Sequence, residues 1–267
     1  MQMRDFPNPK LNLPKEFKDS TDAHMNRSLD AVASYLESIG HYIYTDIDLN
    51  YTVADPKHIH TWIQRLISAN LLRSLYLRNA FVEMFNSRNT TGIYLPLKAW
   101  FETAALLASI LDLLSKDLNA DELHKKLEPF MLGNRGKGTL RVGEVDSVNV
   151  QTMIEKGDEY LEKMAKRDAR IKSDSGLDKF FTNYYDVASN PTHPSFDAHE
   201  IVGGIQEGGI WHAKDSNEIR RDVVERYRHY AGLLLTPMFV KSLCEKLFEI
   251  EGKYFDTLKN PRYFEAA

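Results

Sequence analysis

A helix that is apolar nearly all round is stable only when other elements enclose it, and residues 95 to 116 spell such a helix. Leu97, Trp100, Phe101, Leu106, Leu107, Ile110, Leu111, Leu113 and Leu114 leave it few polar positions, so it belongs in the middle of a bundle. Its exceptions fall on one line. Lys98, Glu102, Ala105, Ser109, Asp112 and Lys116 are spaced four and three residues apart, which at about 100° per residue makes one narrow stripe. The stripe has two readings. It is either a solvated strip, or a contact seam in which Ala105 and Ser109 permit close approach and Lys98 holds Glu102.

The flanking segments supply the rest of the bundle. Asp55-Pro56 is an N-cap followed by proline at the first helical position. From there no proline or glycine interrupts the chain to about Ser87. Ile59, Trp62, Ile63, Leu66, Ile67, Phe81, Val82 and Phe85 mark the buried side of a helix of eight or nine turns. Asn89 to Gly92 reads as a turn. A short helix is expected over 121–130. A longer one is expected over 145–171, with Val150, Met153, Ile154, Tyr160, Leu161 and Met164 facing the core. Its far end carries Lys163, Lys166, Arg167, Arg170 and Lys172, a charge run that reads as a solvated face. An aromatic helix follows over 177–188, then a hairpin around 206–209 within the glycine-rich stretch 201–212. Ser216 or Asp215 caps a last helix over 218–250, kinked by Pro237. Before all of these, residues 1–18 form an extended arm dotted with Pro7, Pro9 and Pro14, and Asp19 or Ser20 opens a helix to about Ser38. The expectation is an all-α bundle of four or more long helices in one domain, 19–267, with a small β excursion near 200–213.

Composition narrows the partners. A formal net charge of −4 over 267 residues argues against a general nucleic-acid coat or a binder of anionic membranes, though a local basic groove is compatible with it. Cys244 is alone, which excludes a disulfide framework or a cysteine zinc site and suits a reducing compartment. The longest apolar run, 104–114, is interrupted by Ser109 and Asp112 and is too short to span a bilayer. The N-terminal residues lack the apolar core of a signal peptide. A cytoplasmic protein without a membrane partner is expected.

The chemistry concentrates at Tyr184-Tyr185-Asp186-Val187-Ala188-Ser189-Asn190-Pro191-Thr192-His193-Pro194. Residues before Pro191 and Pro194 should leave the α region, so the helix should stop near Ser189 and hold His193 in a rigid turn. Tyr185 and Ser189, four apart, share a helical face. A second polar segment, 133–143, is rich in glycine and carries Arg135, Lys137 and Arg141. It lacks the phosphate-loop pattern and reads either as a connection or as a phosphate contact.

Tyr185-Asp186, Ser189 and His193-Pro194 together resemble the Tyr-Asp…Ser…His-Pro signature of HEPN-like helical proteins. Lys98-Ala99-Trp100-Phe101-Glu102 is similar to that group's apolar helix with an embedded glutamate. Gly136-Lys137-Gly138 and Val148-Asn149-Val150 also fit, so the resemblance spans roughly residues 95–204. It implies a helical bundle, often a homodimer, and a link to RNA processing or to toxin and phage-defence systems. The family's nucleases carry an arginine five to seven residues before the histidine. Here Asp186, Val187 and Ala188 occupy those positions, so the standard nuclease pattern is not met.

Two function classes stay open. As a metal-independent ribonuclease, the chain would use His193 as general base or acid on a 2′-hydroxyl. Lys98, Arg135 or Lys137 would stabilise the phosphorane charge, Glu102 would orient the imidazole, and Tyr185, Ser189 and Asn190 would line the turn. As a non-catalytic interaction protein, it would dimerise or bind a ligand, with His193 enclosed and hydrogen-bonded to lock the turn. No cofactor is implied. His193, Asp197, His199 and Glu200, or His58 with His60, are dense in metal-ligand types but match no zinc spacing, and Ser189 lacks a nucleophile elbow.

Overall fold

The uninterrupted helical period after residue 56 appears as α1 (Ile59–Asn86) in the computed structural model, which describes residues 59–132, 147–167, 178–193, 199, 201–205 and 208–227. The arm and helix expected before residue 59, the segment 133–143 with Arg135, Lys137 and Arg141, Cys244 and the Pro237 kink lie outside the described residues. Within them, 77 % of residues are helical, as the periodicity requires.

After α1 the chain turns at Asn89, whose side-chain oxygen accepts the Gly92 N–H at 3.0 Å. It then enters α2 (Tyr94–Leu114). Next come α3 (Ala120–Leu132), α4 (Val150–Arg167) and α5 (Phe180–Ser189), which runs into a 3₁₀ turn at Asn190–Thr192. A two-stranded antiparallel ribbon of β1 (Gly203–Ile205) and β2 (Trp211–Ala213) follows. Last is α6 (Ser216–Tyr227). The fourth helix starts at Val150 rather than near 145, because Asn149 caps it: its side-chain oxygen accepts the Gln151 N–H at 2.8 Å. Asp215, not Ser216, caps α6. Its carboxylate accepts the N–H groups of Asn217 and Glu218 at 2.6 and 2.9 Å, while Glu218 reaches back to the Asp215 N–H at 2.7 Å. That reciprocal pair is a capping box, and the two N–H groups hold the Asp215 carboxyl below its ordinary pKa.

As its composition demands, α2 is the central element, touching α1, α3, α4 and α5. Trp100, Phe101, Leu107, Ile110 and Leu111 are buried, as are Ile59, Ile63, Phe81, Val82 and Phe85 of α1. Leu106 is the exception among the expected core residues of α2, being only half-buried.

The stripe on α2 is a seam along most of its length. Ala105, Ser109 and Asp112 are buried against α4. Gly157 of α4 makes the approach possible, since a Cβ there would stand 3.4 Å from the Ala105 Cα and 2.8 Å from the Phe181 ring. The Ser109 hydroxyl lies 2.8 Å from the carbonyls of both Ala105 and Met153, sharing one proton between the two helices. Asp112 then receives Lys163 from α4 and Lys116, at 2.9 Å, from just beyond the end of α2. Lys163 therefore crosses to a neighbouring helix and is not simply part of a solvated charge run. Burial alone would raise the Asp112 carboxyl, but hydrogen bonds from Lys163 and Lys116 outweigh it and hold the pKa below the ordinary aspartate value.

Candidate functional site

The helix that carries the Tyr-Asp…Ser…His-Pro segment is positioned by its neighbours. α5 begins at Lys179, which has a left-handed backbone (φ 48°) and gives no side-chain cap. The cap comes from α4 instead. Asp158 accepts the N–H groups of Phe181 and Thr182 at 2.7 and 3.1 Å and the Thr182 hydroxyl at 2.7 Å. A carboxylate on the first N–H groups of a helix satisfies donors that have no partner inside it. Aromatic packing then ties α5 to α2. Phe101 stacks on Tyr184 with centroids 5.4 Å apart, and Phe180 lies 4.7 Å from Tyr184.

At its far end α5 stops at Ser189 as the prolines dictate, but for a narrower reason than expected. Asn190, before Pro191, keeps α-region angles (φ −52°, ψ −45°) and donates its N–H to the Asp186 carbonyl. The break comes because Pro191 has no N–H to donate. The chain tightens into the 3₁₀ turn, with the Thr192 hydroxyl donating to the Ser189 carbonyl at 2.7 Å. His193, before Pro194, does turn extended (φ −111°, ψ 146°), and its N–H reaches the Asn190 carbonyl at 3.2 Å.

The His193 side chain is exposed, contrary to an enclosed, locking role. Its Nε2 lies 3.4 Å from the Lys98 ammonium on the first turn and a half of α2. Lys98 donates in the tautomer that keeps the ring proton on Nδ1. The same ammonium sits 5.5 Å from the centroid of the half-buried Tyr185 ring, within cation–π range. So Lys98, Tyr185 and His193 come together from two helices. Ser189 is buried beside them in sequence, and Asn190 is exposed on the turn.

Glu102 does not join this group. No hydrogen bond links it to His193 or Lys98; Lys98 is directed to His193 and Tyr185. Glu102 instead lines a cavity of about 310 Å³ with Arg73, Leu106, Phe130, Val150 and Met153. Among the metal-ligand types, His199 is exposed, while Asp197, Glu200 and the His58 and His60 side chains lie outside the described residues. The Asp158 cap and the Arg73 cavity were not singled out from sequence. Asp158 sits in a charged helical run with no local signal of its partner, and Arg73 is one of several cations on α1.

No family model, no curated protein and no solved structure matches the chain. Among the described residues, no helix is long and apolar enough to cross a membrane.

Proposed function

We propose that this chain is a HEPN-like helical protein that acts on RNA without a metal, using Lys98 and His193 at a phosphodiester. The observation that carries the reading is the Lys98 ammonium 3.4 Å from the Nε2 of an exposed histidine. A neutral imidazole accepts the 2′-hydroxyl proton, the 2′-oxygen attacks phosphorus to form a 2′,3′-cyclic phosphate, and the P–O5′ bond breaks as the leaving oxygen takes a proton from water. On this reading Lys98 meets the phosphate oxygen that gains negative charge, since a positioned cation beside the base lowers that barrier. It also supplies a cation close to the histidine from a different helix, in place of the arginine that the family pattern puts in the preceding segment. Tyr185 borders the pair and offers a ring face for cation and base alike. Homodimerisation belongs to the same reading and is tested by light scattering at high micromolar concentration. The decisive experiment incubates purified protein with total RNA beside His193→Ala and Lys98→Ala proteins. Cleavage lost in both variants supports the reading, and intact RNA with all three proteins overturns it.

A second reading has its own observation. Ile205 and Trp211 on the ribbon, and Ile210 just before its second strand, are 61, 52 and 68 % exposed, an apolar surface suited to a non-catalytic helical interaction protein. Under that reading the chain is a scaffold, and His193→Ala leaves its partner binding unchanged.

A further inference from the structure

The cavity that Glu102 lines, one turn along α2 from Lys98, has walls of a particular chemistry. Glu102 is half-buried in one wall and Arg73 is exposed at the rim, while Leu106, Phe130, Val150 and Met153 supply apolar surface. Among the described residues, neither Glu102 nor Arg73 carries a hydrogen bond or ion pair. A volume of about 310 Å³ lies at the lower end of small-molecule sites, the range of a nucleoside rather than a larger cofactor.

A carboxylate prefers two adjacent N–H donors, and a guanidinium prefers two adjacent acceptors. Guanine offers both on neighbouring edges: N1–H with the N2 amine, and O6 with N7. Adenine sets an acceptor nitrogen beside its amine, which faces the carboxylate with a lone pair. Phe130 gives the base an aromatic neighbour of the kind on which bases stack. Glu102 also follows Lys98 by four residues on the same face, a rise of about 6 Å along the helix. That offset suits a base in the cavity with its own phosphate at Lys98.

We propose that this cavity binds a guanine base, with Glu102 on the N1–H and N2 amine and Arg73 on O6 and N7. The guanine assignment stands on the cavity alone. Its extension to RNA rests on the phosphodiester reading above.

The test is calorimetric titration of the full chain with guanosine, inosine and adenosine. None of these carries a phosphate, so their binding is independent of the Lys98–His193 chemistry, and failure of either reading is seen separately. Guanosine should bind, inosine should bind about tenfold more weakly because it lacks the N2 amine, and adenosine more weakly still. Glu102→Gln, nearly isosteric and only half-buried, should remove the guanosine preference. Arg73→Ala should weaken guanosine and inosine to the same degree. No guanosine binding at millimolar concentration, equal binding of guanosine and adenosine, or a Glu102→Gln protein that still prefers guanosine each overturns the proposal. A further arm separates the sources. Tighter binding of a short oligoribonucleotide containing one guanosine, relative to guanosine monophosphate, assigns RNA as the ligand. Equal or weaker binding assigns the free nucleotide, and both results keep guanine as the recognised base.

Discussion

The two ends of one stripe on α2 differ in what they meet. From Ala105 to Asp112 the stripe is sealed against α4 by a glycine, a shared hydroxyl and Lys163. Seven residues earlier, Lys98 stands half-buried with an exposed histidine as its neighbour, and Glu102 opens into a cavity. The same helical face thus serves as a joint at one end and as an accessible polar surface at the other. The difference teaches where substitutions should be felt as stability and where as function.

The largest loss of stability should come from the joint. Gly157→Val puts a branched side chain 2.8 Å from the Phe181 ring and against the Ala105 backbone, and overpacking of this kind costs about 3 kcal/mol. Gly157→Ala sharpens the point. In open helix it would gain about 1 kcal/mol, so a measured destabilisation in denaturant melts reports the tightness of the seam.

Asp158→Ala should come next, with a loss of about 2 kcal/mol, because it strips the cap from α5. If Asp158 also sets the His193 turn, the proposed RNA cleavage should fall with it. A thermal melt beside an RNA assay reads both.

Asp112→Asn should cost about 1 kcal/mol, since both lysines are about half exposed and solvent screens much of the attraction. Its signature is the pH dependence. The folded-state carboxyl is depressed, so its contribution is present above the ordinary aspartate pKa of about 3.9 and is lost as pH falls through the lower folded value. The wild-type protein should therefore lose more stability than Asp112→Asn as pH falls below the ordinary aspartate pKa, as read by urea titrations at a series of pH values.

The smallest stability effect should belong to the open end. Lys98→Ala and His193→Ala should each change stability by no more than about 0.5 kcal/mol, because His193 is exposed, while the proposed RNA cleavage should be abolished. A clear drop in melting temperature for His193→Ala, with no activity to lose, would return the histidine to a structural role and erase the contrast between the two ends.

Much of this architecture was legible in the chain. The apolar helix 95–116, the long helix before it, the hairpin near 206–209 and the stop at Ser189 follow from periodicity, glycine placement and the missing N–H of proline, all of them local properties. The stripe itself was also visible as a line of residues, because helical geometry repeats without reference to anything outside the helix.

What covered that stripe was decided only in three dimensions. Gly157 facing Ala105, Lys163 reaching Asp112 and Asp158 capping a helix that begins 22 residues later are meetings between separate helices, and no spacing along one segment encodes them. The candidate site shows the same division. His193 was marked by its prolines and Lys98 was named among the cations for its site, but Glu102, expected to orient the imidazole, makes no hydrogen bond to it, while Lys98 does. Both lie on one helical face, one turn apart, so the sequence named the face. The turn that meets the histidine depends on how α5 packs on α2 through Phe101, Phe180 and Tyr184, because side-chain proximity is set by the packing of one helix on another and not by the period of either.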